Sequence, residues 1–104
     1  MITKRRRIGI DMDGTLCVGK HWFTPKECLR AKPIKKMIDF VNEAYRHNFI
    51  VIYTARQNFL IEATLEWLDK YNVHYHAISN KKIPLEVLID DLTVNPKNIK
   101  EVKL

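Results

Sequence analysis

The stretch Ile8-Gly9-Ile10-Asp11-Met12-Asp13-Gly14-Thr15-Leu16 decides the fold. Its apolar start, bounded by turn residues, is typical of a buried strand, and we predict a central parallel strand over Arg7–Asp11. Open α/β sheets bind ligands at the carboxyl ends of their strands, which is where Asp11 lies. Because residues i and i+2 of an extended chain point the same way, Asp11 and Asp13 are expected to face one site.

The two neighbouring carboxylates indicate a cation. Anions this close repel each other unless a positive charge lies between them, and we interpret that charge as a metal ion. Gly14 then allows a sharp turn. Asp-x-Asp-Gly also occurs in plain turns and in calcium loops. A calcium loop needs a Glu at its twelfth position, where this chain has Trp22, so that class is excluded and a plain turn is the alternative.

Composition and charge limit the function classes. A chain of 104 residues with 46% hydrophobic and 29% charged residues is expected to form a single globular domain over residues 1–104. No apolar run approaches the ~20 residues that span a bilayer, so we expect a cytoplasmic protein without a membrane partner. The net charge of +6 favours anionic partners, namely phosphorylated metabolites, nucleotides or nucleic acid.

Apolar runs alternate with helical periods along the rest of the chain. We predict a loop or small flap over Cys17–Lys32, and then helices and strands in alternation. The predicted elements are a helix from Pro33 to about Asn48, a strand over Phe49–Tyr53, a helix over Asn58–Tyr71 that stops at Asn72, and strands over Val73–Ile78 and Leu85–Ile89. This order predicts an α/β fold whose sheet is mainly parallel, with helices on its faces.

Polar residues follow three of the predicted strands. Asp11, Thr54 and the pair Asp90-Asp91 each stand directly after an apolar run, so they are expected to meet at one edge of the sheet. The carboxylates offer hard oxygen ligands for Mg²⁺, and the hydroxyl can donate a hydrogen bond. A lysine from Asn80-Lys81-Lys82 adds the positive charge that a phosphoryl group needs. These are the parts that phosphoryl transfer requires.

These residues, in this order, resemble the motifs of the haloacid dehalogenase (HAD) superfamily of phosphotransferases. Asp11-Met12-Asp13-Gly14-Thr15 is similar to its first motif, Thr54 to its second and Asp90-Asp91 to its fourth. The resemblance implies that Asp11 is a nucleophile and metal ligand. It implies that Asp13 is the general acid and base and binds metal through its backbone carbonyl. Thr54 would bind the phosphoryl group, and Asp90, with Asp91 directly or through water, would complete the Mg²⁺ site.

The third motif of this family is a lysine. Lys82 lies eight residues before Asp90, which is the spacing in small members related to capsular-polysaccharide biosynthesis phosphatases, and Lys81 is one residue off. Those members often have Gly-Lys-Pro here, whereas this chain reads Asn80-Lys81-Lys82-Ile83-Pro84, so Lys82 is favoured and Lys81 is the alternative. Tyr53-Thr54-Ala55-Arg56 is similar to the same members. Arg56 either binds the phosphate or leaving group, or forms a surface salt bridge; Gly14 is grouped with the substrate-binding residues.

The chain has no room for the cap domain of larger family members. The resemblance therefore implies a capless, Rossmann-like core with helices on both faces, and its site would be closed by the flap, by the substrate or by a homo-oligomer. Lys20, His21, Trp22 and Phe23 in the flap either contact substrate or anchor the flap, and Trp22 is the residue suited to stacking on a nucleobase or sugar.

Three functions follow from the resemblance and the charge. The first is a Mg²⁺-dependent phosphomonoester hydrolase that forms an aspartyl-phosphate on Asp11 and acts on a sugar phosphate, a nucleotide or another phosphorylated substrate. The second is a polynucleotide 3′-phosphatase, which the basic charge favours. The third is a catalytically weak phosphate-binding or assembly module. Retention of both Asp11 and Asp13 argues against the third, because binding alone needs no second acid.

Overall fold

A computed structural model describes residues 6–19 and 22–80 and the backbone of residues 87–89. In chain order the elements are β1 (Arg7–Asp11), α1 (Pro25–Arg30), α2 (Lys35–Tyr45), β2 (Phe49–Tyr53), a 3₁₀ turn (Asn58–Leu60), α3 (Ile61–Lys70), β3 (Ala77–Ser79) and β4 (Val87–Ile89). Within these ranges no helix is both long enough and apolar enough to cross a bilayer.

The four strands form one parallel sheet in the order β3-β2-β1-β4. In the register of the sheet, Asp11 at the end of β1 lies beside Tyr53, and Tyr53 lies beside Ser79. The carboxyl ends of β1, β2 and β3 are therefore level with one another. The predicted parallel α/β fold is confirmed, and the residues that follow these strands start from the same edge.

One face of the sheet carries the core. Ile8 and Ile10 on β1 pair with Ile50 and Ile52 on β2, and all four are fully buried. Side chains from both long helices join them in a single buried cluster, which includes Met37, Val41, Trp67 and Leu68. The sheet with packed helices is consistent with a Rossmann-like fold. The finer expectation, helices on both faces, stays a prediction.

The segment Cys17–Lys32, expected to be a loop or small flap, contains the short helix α1, which the sequence analysis did not predict. Thr24 caps this helix: its hydroxyl accepts a hydrogen bond from the Glu27 backbone N–H at 3.2 Å, and Pro25 occupies the first turn. A helix of six residues is too short to show a helical period, although its Thr-x-x-Glu start is a capping box. Cys28 of α1 packs against Leu60 and Ala63, which fixes the flap on α3.

The third strand is shorter than expected, because polar side chains replace part of its ladder. Residues 73–76 precede β3, and His74 N–H donates to Asn42 Oδ1 at 2.7 Å. The Ile50 N–H on β2 donates to His76 Nδ1 at 2.9 Å, while His76 N–H donates to the Ile50 carbonyl at 2.9 Å. One histidine thus pairs with β2 through both its side chain and its backbone before β3 begins.

Candidate active site

The two carboxylates of the opening stretch flank a buried residue. Asp11 ends β1, and the next residue, Met12, continues the pairing by donating its N–H to the Tyr53 carbonyl at 2.9 Å. Met12 is fully buried, whereas Asp11 and Asp13 are half-buried. The alternation of an extended chain therefore continues through this motif and turns both carboxylates away from the core.

A tight turn follows the carboxylates. Gly14 has a φ of 83°, which favours glycine, and its N–H donates to the Cys17 carbonyl at 2.9 Å. Because the Gly14 N–H already makes this hydrogen bond, it is not available to a substrate in this arrangement. The predicted role of Gly14 in substrate binding stays a prediction. In the turn Thr15 is fully buried, and within the described residues its hydroxyl oxygen has no hydrogen-bond partner.

The Asp13 carboxylate is held by three side chains. Its Oδ1 accepts hydrogen bonds from Arg56 Nη2 at 2.7 Å and Trp22 Nε1 at 2.6 Å, and a longer one from Cys17 Sγ at 3.4 Å. Its Oδ2 accepts only one, from Arg56 Nε at 3.3 Å, among the described residues. The carboxylate is therefore fixed in orientation, and its two oxygens are not equivalent.

Arg56 is the buried centre of this network. Its side chain is only 2% exposed, and its guanidinium makes a two-point contact with Asp13. The remaining nitrogen, Nη1, donates to Thr64 Oγ1 at 2.8 Å, and Thr64 in turn donates to the Leu60 carbonyl at 2.8 Å. The Trp22 ring covers the guanidinium carbon at 5.5 Å. The guanidinium is committed to protein groups, so its salt bridge is buried rather than on the surface.

Thr54 lies at the end of the neighbouring strand. It is buried, its N–H donates to the Ser79 carbonyl at 3.0 Å, and its Oγ1 accepts the Arg56 backbone N–H at 3.1 Å. In the bond with Arg56, the Thr54 oxygen accepts and its hydroxyl proton is not used. The hydroxyl can therefore donate that proton in a hydrogen bond to a phosphoryl oxygen. Thr54 also borders a recess of about 250 Å³, which it shares with Asn58, Ser79 and Asn80.

Cys17 is a neutral donor in this site. Burial, and after it the negative charge of Asp13, raise the pKa of its thiol to about 12, although Arg56 opposes both effects. A thiol with this pKa is protonated at neutral pH, so Cys17 positions Asp13 and does not act as a thiolate nucleophile.

Four of the predicted site residues lie outside the described residues: Lys81, Lys82, Asp90 and Asp91. Their roles stay predictions. Within the described part of the chain, no group of three or more His, Cys, Asp or Glu residues could hold a metal ion. Two hard oxygens there fit Mg²⁺, the Asp11 carboxylate and the Asp13 backbone carbonyl, since this ion takes one or two carboxylates and completes its shell with water and phosphate. The Asp13 carboxylate is less suited, because Arg56 already pairs with it.

A second cavity opens on the flap side of the network. It has a volume of about 240 Å³ and is lined by Asp13, Trp22, Phe23, Ala55, Arg56 and Gln57. We call it the flap cavity. It places the exposed aromatic ring of Phe23, from the flap, on the same cavity as Asp13.

No protein-family model matches the chain. Over 53 residues, or 51% of its length, the chain is 36% identical to the "Putative nucleotidase YqfW" of Bacillus subtilis (strain 168), and this match spans 26% of that relative. A chain in the "Structure of Pnkp1/Rnl/Hen1 complex" superposes with a TM-score of 0.63 at 19% identity, covering 95% of this chain and 34% of that one. A chain in the "Structure of the Pnkp1/Rnl/Hen1 RNA repair complex" gives 0.62 at 18% identity, covering 97% and 33%.

These matches fit the parallel α/β fold described above. The two superpositions show the fold alone, because their sequence identity is low. The sequence match spans about a quarter of a protein that is named a putative nucleotidase. It does not by itself assign a substrate.

Sequence reasoning missed Thr64 and the contacts of Trp22 and Cys17 with Asp13. Thr64 had a detectable signal: it lies four residues after Leu60 and four before Leu68, on the apolar face of the helix. A hydroxyl at a buried helical position needs partners, and here it donates to the Leu60 carbonyl and accepts from Arg56. Trp22 was considered for substrate or anchoring contacts, and no local pattern connects its indole N–H with a carboxylate nine residues earlier.

Proposed function

We propose that this chain is a Mg²⁺-dependent phosphomonoester hydrolase of the HAD type, with Asp11 as nucleophile. One observation carries the proposal: two half-buried carboxylates flank a buried Met12 at the carboxyl end of an inner parallel strand. Thr54 follows the neighbouring strand at the same edge. Two adjacent strands thereby offer a nucleophile, a proton carrier and a hydrogen-bond donor for the phosphoryl group.

The two carboxylates have separate tasks in the proposed reaction. Asp11 attacks phosphorus and forms an aspartyl-phosphate, while the leaving oxygen takes a proton from Asp13. Water then attacks the phosphorus, gives its proton to Asp13 and releases phosphate, which restores the Asp11 carboxylate. We assign the carried proton to Asp13 Oδ2, because the described donors crowd Oδ1 and only one long bond reaches Oδ2.

In this proposal the Asp11 carboxylate and the Asp13 backbone carbonyl would hold Mg²⁺, and Asp90 and Asp91 would complete the site. A bound ion would supply positive charge against the transferring phosphoryl group. Thr54 donates its hydroxyl proton to a phosphoryl oxygen, and Lys82 (or Lys81) neutralises another. Arg56 acts on the reaction through Asp13, since its nitrogens contact protein groups.

The proposal is tested by hydrolysis of a panel of phosphomonoesters with Mg²⁺ and with EDTA. The panel contains nucleoside monophosphates, sugar phosphates and 3′-phosphorylated oligonucleotides. We expect turnover of at least one class, its loss in EDTA, and a loss of roughly a thousandfold or more in Asp11→Asn. Equal rates for the variant and the wild type on every hydrolysed substrate would refute the covalent mechanism.

A polynucleotide 3′-phosphatase is a second candidate, which the net charge of +6 favours. Contacts to several backbone phosphates release counterions, so this candidate predicts binding that weakens steeply with salt. A metabolite phosphatase lacks that steep dependence. If the wild type hydrolyses no member of the panel, the third candidate, a phosphate-binding or assembly module, replaces both.

A further inference from the structure

The flap cavity identifies the side from which a leaving group approaches Asp13. This step rests on the proposed function, in which Asp13 protonates the leaving oxygen. Of the two recesses described above, which are formed by described residues, Asp13 lines the flap cavity and Thr54 lines the other. An oxygen in contact with the Asp13 carboxylate therefore carries the rest of its group into the flap cavity.

Of the two aromatic residues that line the cavity in the described part of the chain, Phe23 is the one that offers a ring for stacking. Trp22 is already engaged, because its indole N–H bonds to Asp13 at 2.6 Å and its ring covers the Arg56 guanidinium at 5.5 Å. Phe23 is 73% exposed although it is a large apolar residue. An exposed phenyl ring on the wall of a polar cavity is a platform for a flat ring, since offset stacking buries both faces.

Charge also restricts the group that fits. Among the described lining residues the charged ones are Asp13 and Arg56, and they neutralise each other at 2.7 Å. The Gln57 amide adds a neutral donor and acceptor. The described walls thus present no unpaired cation to a second phosphate, and their neutral amide suits the polar edge of a heterocyclic ring.

We propose that Phe23 determines specificity by stacking on a flat, uncharged aromatic ring of the leaving group, the nucleobase of the nucleoside that a nucleoside monophosphate releases. Trp22 forms the wall that holds Asp13, and Gln57 contacts the edge of the base. A sugar phosphate lacks a flat apolar face to place on Phe23. The site therefore selects nucleoside monophosphates over sugar phosphates.

Indole NMR tests base binding without requiring catalysis. The chain has two tryptophans, so its indole N–H region contains one resonance from the cavity wall, Trp22, and one from Trp67. Trp67 is fully buried and bonded to the Ala31 carbonyl, which makes it an internal control. We expect adenosine to shift the Trp22 resonance saturably and to leave that of Trp67 in place, while glucose at the same concentration shifts neither.

Phe23→Ala and Phe59→Ala separate the platform from general surface effects. Phe59 is 59% exposed and does not line the cavity. We expect Phe23→Ala to weaken adenosine binding by roughly two- to twelvefold, and Phe59→Ala to bind as the wild type does. Adenosine that leaves Trp22 unshifted, or equal binding by wild type and Phe23→Ala, would overturn the inference.

Kinetics on adenosine monophosphate and glucose 6-phosphate distinguish the two proposals. We expect the wild type to prefer the nucleotide, and Phe23→Ala to lose kcat/KM for the nucleotide only. If the wild type prefers the sugar phosphate, or the variant loses both activities equally, Phe23 is not the determinant while the hydrolase proposal stands. If adenosine binds as expected and no member of the phosphomonoester panel is hydrolysed under any metal condition, the base site stands and the hydrolase proposal fails.

Discussion

Breaking the Asp13–Arg56 pair will destabilise the fold far more than breaking a surface pair. The Arg56 side chain is 2% exposed and that of Asp13 is 18% exposed, so neither charge is well solvated. Removing one partner of a buried pair costs about 3–5 kcal/mol, because the other charge is left uncompensated. Asp13→Asn preserves shape and one acceptor oxygen, so we expect the lower limit, about 3 kcal/mol. For a domain of this size that lowers Tm by roughly 12–24 °C.

The matched control is Asp39→Asn, which breaks the pair Lys35–Asp39. Its side chains are 84% and 61% exposed, and its N–O distance is 3.1 Å. Such i,i+4 surface pairs contribute about 0.3–0.5 kcal/mol. Urea unfolding followed by far-UV circular dichroism gives the free energy of unfolding of each variant. If Asp13→Asn is no less stable than Asp39→Asn, Asp13 does not neutralise Arg56 and the buried network is wrong.

Three further substitutions test the surroundings of Asp13. The folded protein keeps the Cys17 proton because the pKa of this thiol is raised to about 12, whereas the unfolded thiol releases its proton near 9.0. Wild type should therefore lose about 1.4 kcal/mol of unfolding free energy relative to Cys17→Ser between pH 7 and 10. An unchanged difference in urea unfolding would contradict this. Thr15→Val removes a buried hydroxyl that has no partner among the described residues, so its free energy of unfolding should be unchanged or about 1 kcal/mol higher. A clear loss of stability would mean that the hydroxyl has a partner. Gly19→Ala places a Cβ 3.0 Å from the Trp22 ring at a φ of 107°, so the Trp22 indole resonance should shift, and an unshifted resonance would show that the ring does not lie there.

Strands β1 and β2 agree with their predicted bounds because each is a continuous apolar run in the middle of the sheet. The prediction was poorer where side chains replace backbone pairing. His76 bonds to Ile50 before β3 starts, and a histidine acting in place of a strand residue leaves no periodic pattern. Likewise α1 was missed because six residues show capping chemistry but too little periodicity.

The cation next to Asp13 is the main difference between the predicted and the observed site. The two neighbouring carboxylates predicted a metal ion between them. Beside Asp13 the structure provides another cation, the Arg56 guanidinium. The two residues are 43 positions apart in the chain. Only the register that pairs Asp11 with Tyr53 brings them together, and register is a tertiary property. The proposed Mg²⁺ site therefore rests on the oxygen donors that Asp11 and Asp13 offer, and not on charge repulsion alone.

The central claim is that Asp11 becomes phosphorylated during turnover. Borohydride reduction of the enzyme quenched during hydrolysis converts an aspartyl-phosphate to homoserine, which peptide mass spectrometry locates. We expect homoserine at position 11 of the wild type, none at position 13, and none in Asp11→Asn. Turnover of a phosphomonoester with an unmodified Asp11 in the quenched enzyme, or with homoserine at position 13, would contradict it.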